Sequence, residues 1–256
     1  MLHLRERRLQ MHWRISKRLW NCTVKTSQEQ AEDKGNHMAD IIDFTKMKSN
    51  RKALQEPGTE EDTTAIKKRL ENGGQTINSS YELDKLAEEV RNVVGNYTGE
   101  LAVPVVSIAK NLGIRVYSAD MEGGESGYIF AGGTTEELYG AGEVIVVSKK
   151  EPIGHQRFVI AHETAHYLLD YLANPKYKNK DLLFKEAYRQ MPHNTQTELR
   201  ADYFAAELLM PKKLFIQQYN EIMKRSKDRD VTIMCLADYF KVKISSVEKR
   251  IKEVLA

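Results

Sequence analysis

The run Phe158-Val-Ile-Ala-His162-Glu163-Thr-Ala-His166-Tyr-Leu-Leu-Asp170 constrains this chain more than any other stretch. Phe158, Val159, Ala161, Ala165, Leu168, Leu169 and Leu172 make it a well-buried helix, so its few polar residues are carried into the interior. Histidines at i and i+4 lie one turn apart on one face, and their imidazoles can converge on one cation at zinc distances. Glu163 is turned about 100° from His162 around the helix. It would miss the metal but can reach a water held there, which is where a general base belongs. Two ordinary buried histidines are the competing reading, and a third ligand separates the two.

Asp170 cannot be that ligand. Residues 162, 166 and 170 span about 12 Å of helix rise, too far for all three to hold one ion. The better source is the helix expected from Thr195 to Met210. There Glu198 and Asp202 share a face one turn apart, while Phe204, Ala205, Leu208 and Leu209 pack elsewhere. Glu198 would complete a two-histidine, one-glutamate site with its fourth position left to water. Asp202 would accept the outward N–H of one histidine and fix its tautomer. The alternative is a pair of surface carboxylates, one of them paired with Arg200.

Around these helices the pattern is α+β. Leu83, Leu86, Ala87, Val90, Val93 and Val94 recur at helical steps, and Leu101–Leu112 repeats the pattern with Pro104 near its start and Gly113 past its end. Ile114–Ser118, Gly127–Ala131 and Glu143–Ser148 are rich in Val, Ile and Tyr and separated by glycine-rich turns. They predict a small antiparallel sheet of about three strands packed on helices. The C-terminal part is expected to be all helical, with two short helices over 232–255 broken near Lys241–Lys243.

The expected organisation is a basic segment 1–37, a flexible linker 38–80 and one domain over 81–256. Residues 1–37 hold eight Lys/Arg against four acids, which leaves 31 basic and 32 acidic residues in the rest, so the formal charge of +3 is no argument for nucleic-acid binding by the domain. The segment fits an Arg-rich presequence or nucleic-acid arm, a basic amphipathic helix on a membrane surface, or a mis-annotated start. The third is favoured, because Lys34-Gly35 would be encoded by a purine-rich sequence just upstream of Met38-Ala39-Asp40. Residues 45–80 carry few large apolar side chains and predict a largely disordered linker, with room for a short helix at Thr64–Glu71. Two cysteines, Cys22 and Cys235, make no disulfide framework and point to a reducing compartment. Cys235, between Met234 and Leu236, reads as a small buried residue.

The stretch Glu198-Leu-Arg-Ala-Asp202-Tyr-Phe-Ala-Ala-Glu-Leu-Leu-Met-Pro211, following a His-Glu-x-x-His helix, resembles the second signature of the ImmA/IrrE-type metallopeptidases. Arg157-Phe158 and the strand Val144–Val147 also look like that family, and the resemblance covers about Tyr81 to Leu255. It implies a minimal gluzincin-like domain with His162, His166 and Glu198 as metal ligands, Glu163 as the base, and one Zn2+, with Mn2+ as the alternative ion. It further implies a cytoplasmic metalloendopeptidase of bacterial or mobile-element origin. Its substrate would be a regulatory protein, commonly a helix-turn-helix repressor, or a repressor's antagonist. The downstream glycine-and-histidine extension of metzincins is missing after His166.

Four weaker signals complete the reading. Tyr139, Tyr167, His193 and Tyr203 are candidates for stabilising an oxyanion. Glu143–Ser148 is the candidate strand for adding an extended substrate to the sheet edge. Residues 236–251 resemble a helix-turn-helix, with Lys249, Arg250 and Lys252 as its basic residues. Val247, Ile251 and Val254 mark an ordinary buried face instead, so direct nucleic-acid binding is not expected. Two other functions stand beside the peptidase: a DNA-binding regulator with a retained metal site, and a zincin-like scaffold that binds a partner without cleaving it.

Overall fold

The computed structural model describes residues 59–97, 102–121, 126–131, 135, 142–172, 182–183 and 195–255. The basic segment 1–37 and the expected linker up to residue 58 lie outside the described residues.

The second half of that linker is a helix. α1 spans Glu60–Gly73, and Thr59 and Asp62 cap its start reciprocally: the Asp62 N–H donates to the Thr59 hydroxyl at 3.1 Å, and the Thr59 N–H to the Asp62 carboxylate at 2.9 Å. One narrow stripe of Thr63, Ile66 and Leu70 is buried, and Ile66 and Leu70 join the main hydrophobic core. Two well-placed aliphatics and a cap suffice where composition alone suggested a linker. A 3₁₀ turn over Gly74–Thr76 leads to α2, Ser80–Glu89, which is capped by Ser79 and Glu82 and runs on as a π turn through Val94.

α3 spans Val105–Asn111 and ends at Gly113, whose φ of +90° is left-handed backbone that glycine adopts without strain. β1 (Ile114–Ala119), β2 (Gly127–Ala131) and β3 (Glu143–Ser148) follow. α4 covers Ile153–His166 and continues as a π turn over Tyr167–Tyr171. The two-residue β4, Leu182–Leu183, precedes α5, Thr195–Leu209. The chain closes with α6 (Lys212–Ser226), α7 (Arg229–Phe240) and α8 (Ile244–Leu255). Among the described residues no helix is long and apolar enough to cross a membrane.

The architecture is α+β, but the sheet is mixed and not antiparallel throughout. Its order is β1-β3-β2-β4, with β1 and β3 parallel and the other pairs antiparallel. β3 occupies the middle, and Val144–Ser148 are all buried. Such a continuous apolar run suits a strand covered on both faces. With both of its edges paired, β3 cannot receive a substrate strand, and that expectation is corrected: the sheet's outer edges are β1 and the β2–β4 side.

α4 packs against β2, β3, α3 and α5, and α5 packs in turn on α2. Two close approaches fix its position. A Cβ on Gly127 would stand 2.3 Å from Val159 Cγ1, so the start of β2 lies flush on α4 only because residue 127 has no side chain. Arg157 donates to the Val103 carbonyl at 2.7 Å and the Lys241 carbonyl at 3.1 Å, tying α4 to the entry of α3 and to the α7–α8 turn. Lys241 is itself left-handed at φ 53°, ending α7 where the break was expected. Cys235 is exposed on α7, not buried: its neighbours Ile233 and Leu236 take the inward positions.

Candidate metal centre

α4 and α5 are the two helices that build the site. His162 and His166 project from the face of α4 that meets α5, and Glu198 and Asp202 from the first two turns of α5. The His162 and His166 Nε2 atoms are 3.0 Å apart, and their rings meet edge to face. Glu198 faces both, with one oxygen 3.3 Å from His162 Nε2 and the other 3.5 Å from His166 Nε2. One ligand atom from each of these three residues lies within 4.8 Å of the other two.

The outward nitrogens are equally well placed. His162 Nδ1–H donates to Asp202 at 2.9 Å, the arrangement expected for Asp202. His166 Nδ1–H donates to Asp170 at 2.8 Å. Asp170 is thus no ligand, as helix rise dictates, yet it is part of the site. Its signal in the sequence was the same i, i+4 spacing that linked the histidines. Each carboxylate then meets a cation: Asp202 pairs with Lys249 at 3.0 Å, and Asp170 with Arg200. Arg200 therefore pairs with Asp170 and not with Glu198 or Asp202.

These contacts decide which groups fit among the three donors. With both Nδ1 protons committed to carboxylates, the two Nε2 atoms turn lone pairs toward one another, and Glu198 adds a carboxylate. Such a cluster of acceptors repels itself unless a proton or a cation stands between them. The two-nitrogen, one-oxygen set is compatible with binding one metal ion, and it matches the donors of catalytic zinc sites. When protons fill the role, burial opposes the charge on His162, but Asp202, Glu198 and Glu163 outweigh it and push its pKa up to about 10. Burial likewise opposes His166, and Asp170 and Glu198 raise it. The hydrogen bonds to His162 and His166 hold the Glu198 carboxyl well below the usual carboxylate range.

Glu163 is half-buried beside the pair, and its charge acts on both histidines. Of the oxyanion candidates, the Tyr203 hydroxyl is engaged with Asp84 at 2.9 Å, and Tyr167 is fully buried. Tyr139 and His193 lie outside the described residues. In α8 only one of the three basic residues turns inward, while Lys249 and Lys252 are exposed. Arg250 is buried, pairs with Glu207 and donates to the Met210 carbonyl at 3.1 Å, while Lys249 serves Asp202.

A family model described as the IrrE N-terminal-like domain, a peptidase family designated M78, matches residues 109–252, more than half of the chain. A search of curated proteins finds no match. Among solved structures, a Mycobacterium tuberculosis transcriptional regulator is similar at 18% identity and a TM-score of 0.41. The alignment covers 75% of this chain and 51% of that one, so this chain spans about half of the regulator's length.

Proposed function

Since the chain belongs to the M78 peptidase family of IrrE N-terminal-like domains, we propose that it is a zinc-dependent metalloendopeptidase acting on a regulatory protein. The observation that carries this reading is the convergence of His162, His166 and Glu198 on one point, with a carboxylate behind each histidine. His162, His166 and Glu198 would hold the ion, zinc by preference of the donor set and manganese as the alternative. A cation held there supplies Lewis acidity, which lowers the pKa of water and polarises a scissile carbonyl.

The remaining steps belong to the chain. Glu163 accepts a proton from the attacking water and later delivers it to the leaving amine. Asp202 and Asp170 keep both imidazoles in the tautomer that presents Nε2 to the centre. The Glu198 side chain is 54% exposed, against 17% and 5% for His162 and His166, so access for an extended peptide lies on the Glu198 side. We propose a helix-turn-helix repressor as substrate class and the cytoplasm as the place of action; the resemblance to the ImmA/IrrE-type enzymes and the low cysteine content support these.

Glu163→Gln tests the assignment. The variant is expected to bind zinc one to one and to lose repressor cleavage by roughly 10²–10⁴-fold. Cleavage that survives this change excludes Glu163 as the base. A wild-type chain that binds no zinc excludes the metallopeptidase reading altogether.

A further inference from the structure

Behind each proposed ligand histidine stands a carboxylate, and behind each carboxylate a cation, but the two ion pairs differ in burial. The His162–Asp202–Lys249 chain ends in solvent: Asp202 and Lys249 side chains are 33% and 55% exposed. The His166–Asp170–Arg200 chain is buried, with Asp170 and Arg200 at 8% and 12%. It also continues. Arg200 uses its second guanidinium nitrogen to donate to the half-buried Ile77 carbonyl at 3.3 Å and to the side-chain oxygen of the exposed Asn78 at 3.1 Å. Ile77 and Asn78 form the connection between the 3₁₀ turn after α1 and the Ser79 cap of α2. That 3₁₀ turn packs directly on the π turn that carries Asp170.

We infer that Arg200 is a positioning residue through which the α1–α2 connection holds His166 in its metal-binding orientation. The inference rests on the metal reading of the site and adds to it a part of the chain outside the matched family residues 109–252. An exposed ion pair contributes little because water and salt screen it, whereas removing one partner of a buried pair leaves a charge without compensation. The two chains of contacts must therefore differ in their influence on the ion. Arginine is the residue the geometry requires, since one planar fork serves Asp170 and the 77–78 connection at once, and a lysine ammonium cannot span both. Asp170 held from two sides keeps the His166 ring fixed. Released from Arg200, it is a buried carboxylate with no cation beside it, held only by the His166 Nδ1–H bond and able to rotate.

The test measures zinc affinity of the full chain by competition with a chromophoric chelator, alongside the far-UV circular dichroism and melting of each metal-free variant. Outer partners of metal-bound histidines change affinity by about 10–100-fold when removed. Arg200→Gln is expected to weaken zinc by about that factor, and Lys249→Met by less than about threefold. Arg200→Lys keeps the ion pair but not the bridge, and falls between the wild type and Arg200→Gln. Asn78→Ala touches no group at the metal and is expected to weaken zinc severalfold with the fold intact, so it decides the matter if Arg200→Gln fails to fold. In the cobalt-substituted protein the d–d band should shift in Arg200→Gln and not in Lys249→Met. Equal zinc affinity and cobalt spectra in wild type, Asn78→Ala and folded Arg200→Gln overturn the inference while leaving the metal site standing. Absence of zinc binding by the wild type overturns the metal reading on which it rests.

Discussion

His162 shows how one residue couples charge, metal and stability. In the metal-free protein its pKa is raised from 6.5 to about 10, burial working against the carboxylates that surround it and losing. A group raised on folding adds stability that is complete below its unfolded value and disappears as pH climbs through the folded one. Glu198 has the opposite sign: its depressed pKa adds stability above its ordinary value of 4.5 that is lost on acidification. The metal-free site thus favours the folded state most between pH 4.5 and 6.5 and progressively less toward pH 10. Zinc requires the same histidines neutral, so uptake at neutral pH should release protons and affinity should rise with pH. Urea denaturation of chelator-treated protein is expected to show a lower midpoint at pH 9 than at pH 6. A midpoint that rises over this interval contradicts the charge balance described for the site.

Among the elements, those with strong periodicity were legible from the sequence and those with thin apolar stripes were not. The α4 and α5 patterns placed both helices within a few residues, and Glu198 and Asp202 fell on the face that meets His162 and His166. Strand segments were equally clear, but pairing was not. Whether β3 lies beside β2 alone or between β1 and β2 depends on a crossover that no local pattern encodes. The buried Val144–Val147 run was the one hint of a central position. α1 was legible only as a possible short helix at Thr64–Glu71, and not as part of the core, because its buried face is a single line of Thr63, Ile66 and Leu70 in a polar segment. Its capping box, formed by Thr59 with an aspartate three residues on, is a weaker signature than the usual glutamate. Thr59→Ala is expected to cost about 1 kcal/mol, and Ile66→Ala about 2–5 kcal/mol, in the urea unfolding of the whole chain. An Ile66→Ala variant as stable as wild type would mean that α1 adds nothing to the core.

At the scale of the molecule, the sequence conveyed the family and the His162, His166 and Glu198 cluster better than the web of contacts around that cluster. The Arg200 and Lys249 pairings join residues 30 and 47 positions apart in the chain, and the hydrogen bond from Arg200 to Asn78 reaches 122. Spacing rules operate over a few turns of helix and are silent at such distances. Cys235 failed for a related reason: the rotation of α7 depends on what α6 and α8 cover, so a locally apolar neighbourhood did not imply burial. The placement of donors on two separate helices has a consequence for folding. His162 and His166 sit on α4 and Glu198 on α5, so an ion held by all three would act as a removable staple between two helices distant in the chain. Melting temperature then becomes a gauge of occupancy. It should climb with the logarithm of free zinc, by roughly 5–10 °C at a hundred times the dissociation constant. The same gauge should stay flat in Glu198→Ala, where the staple has lost its second leg.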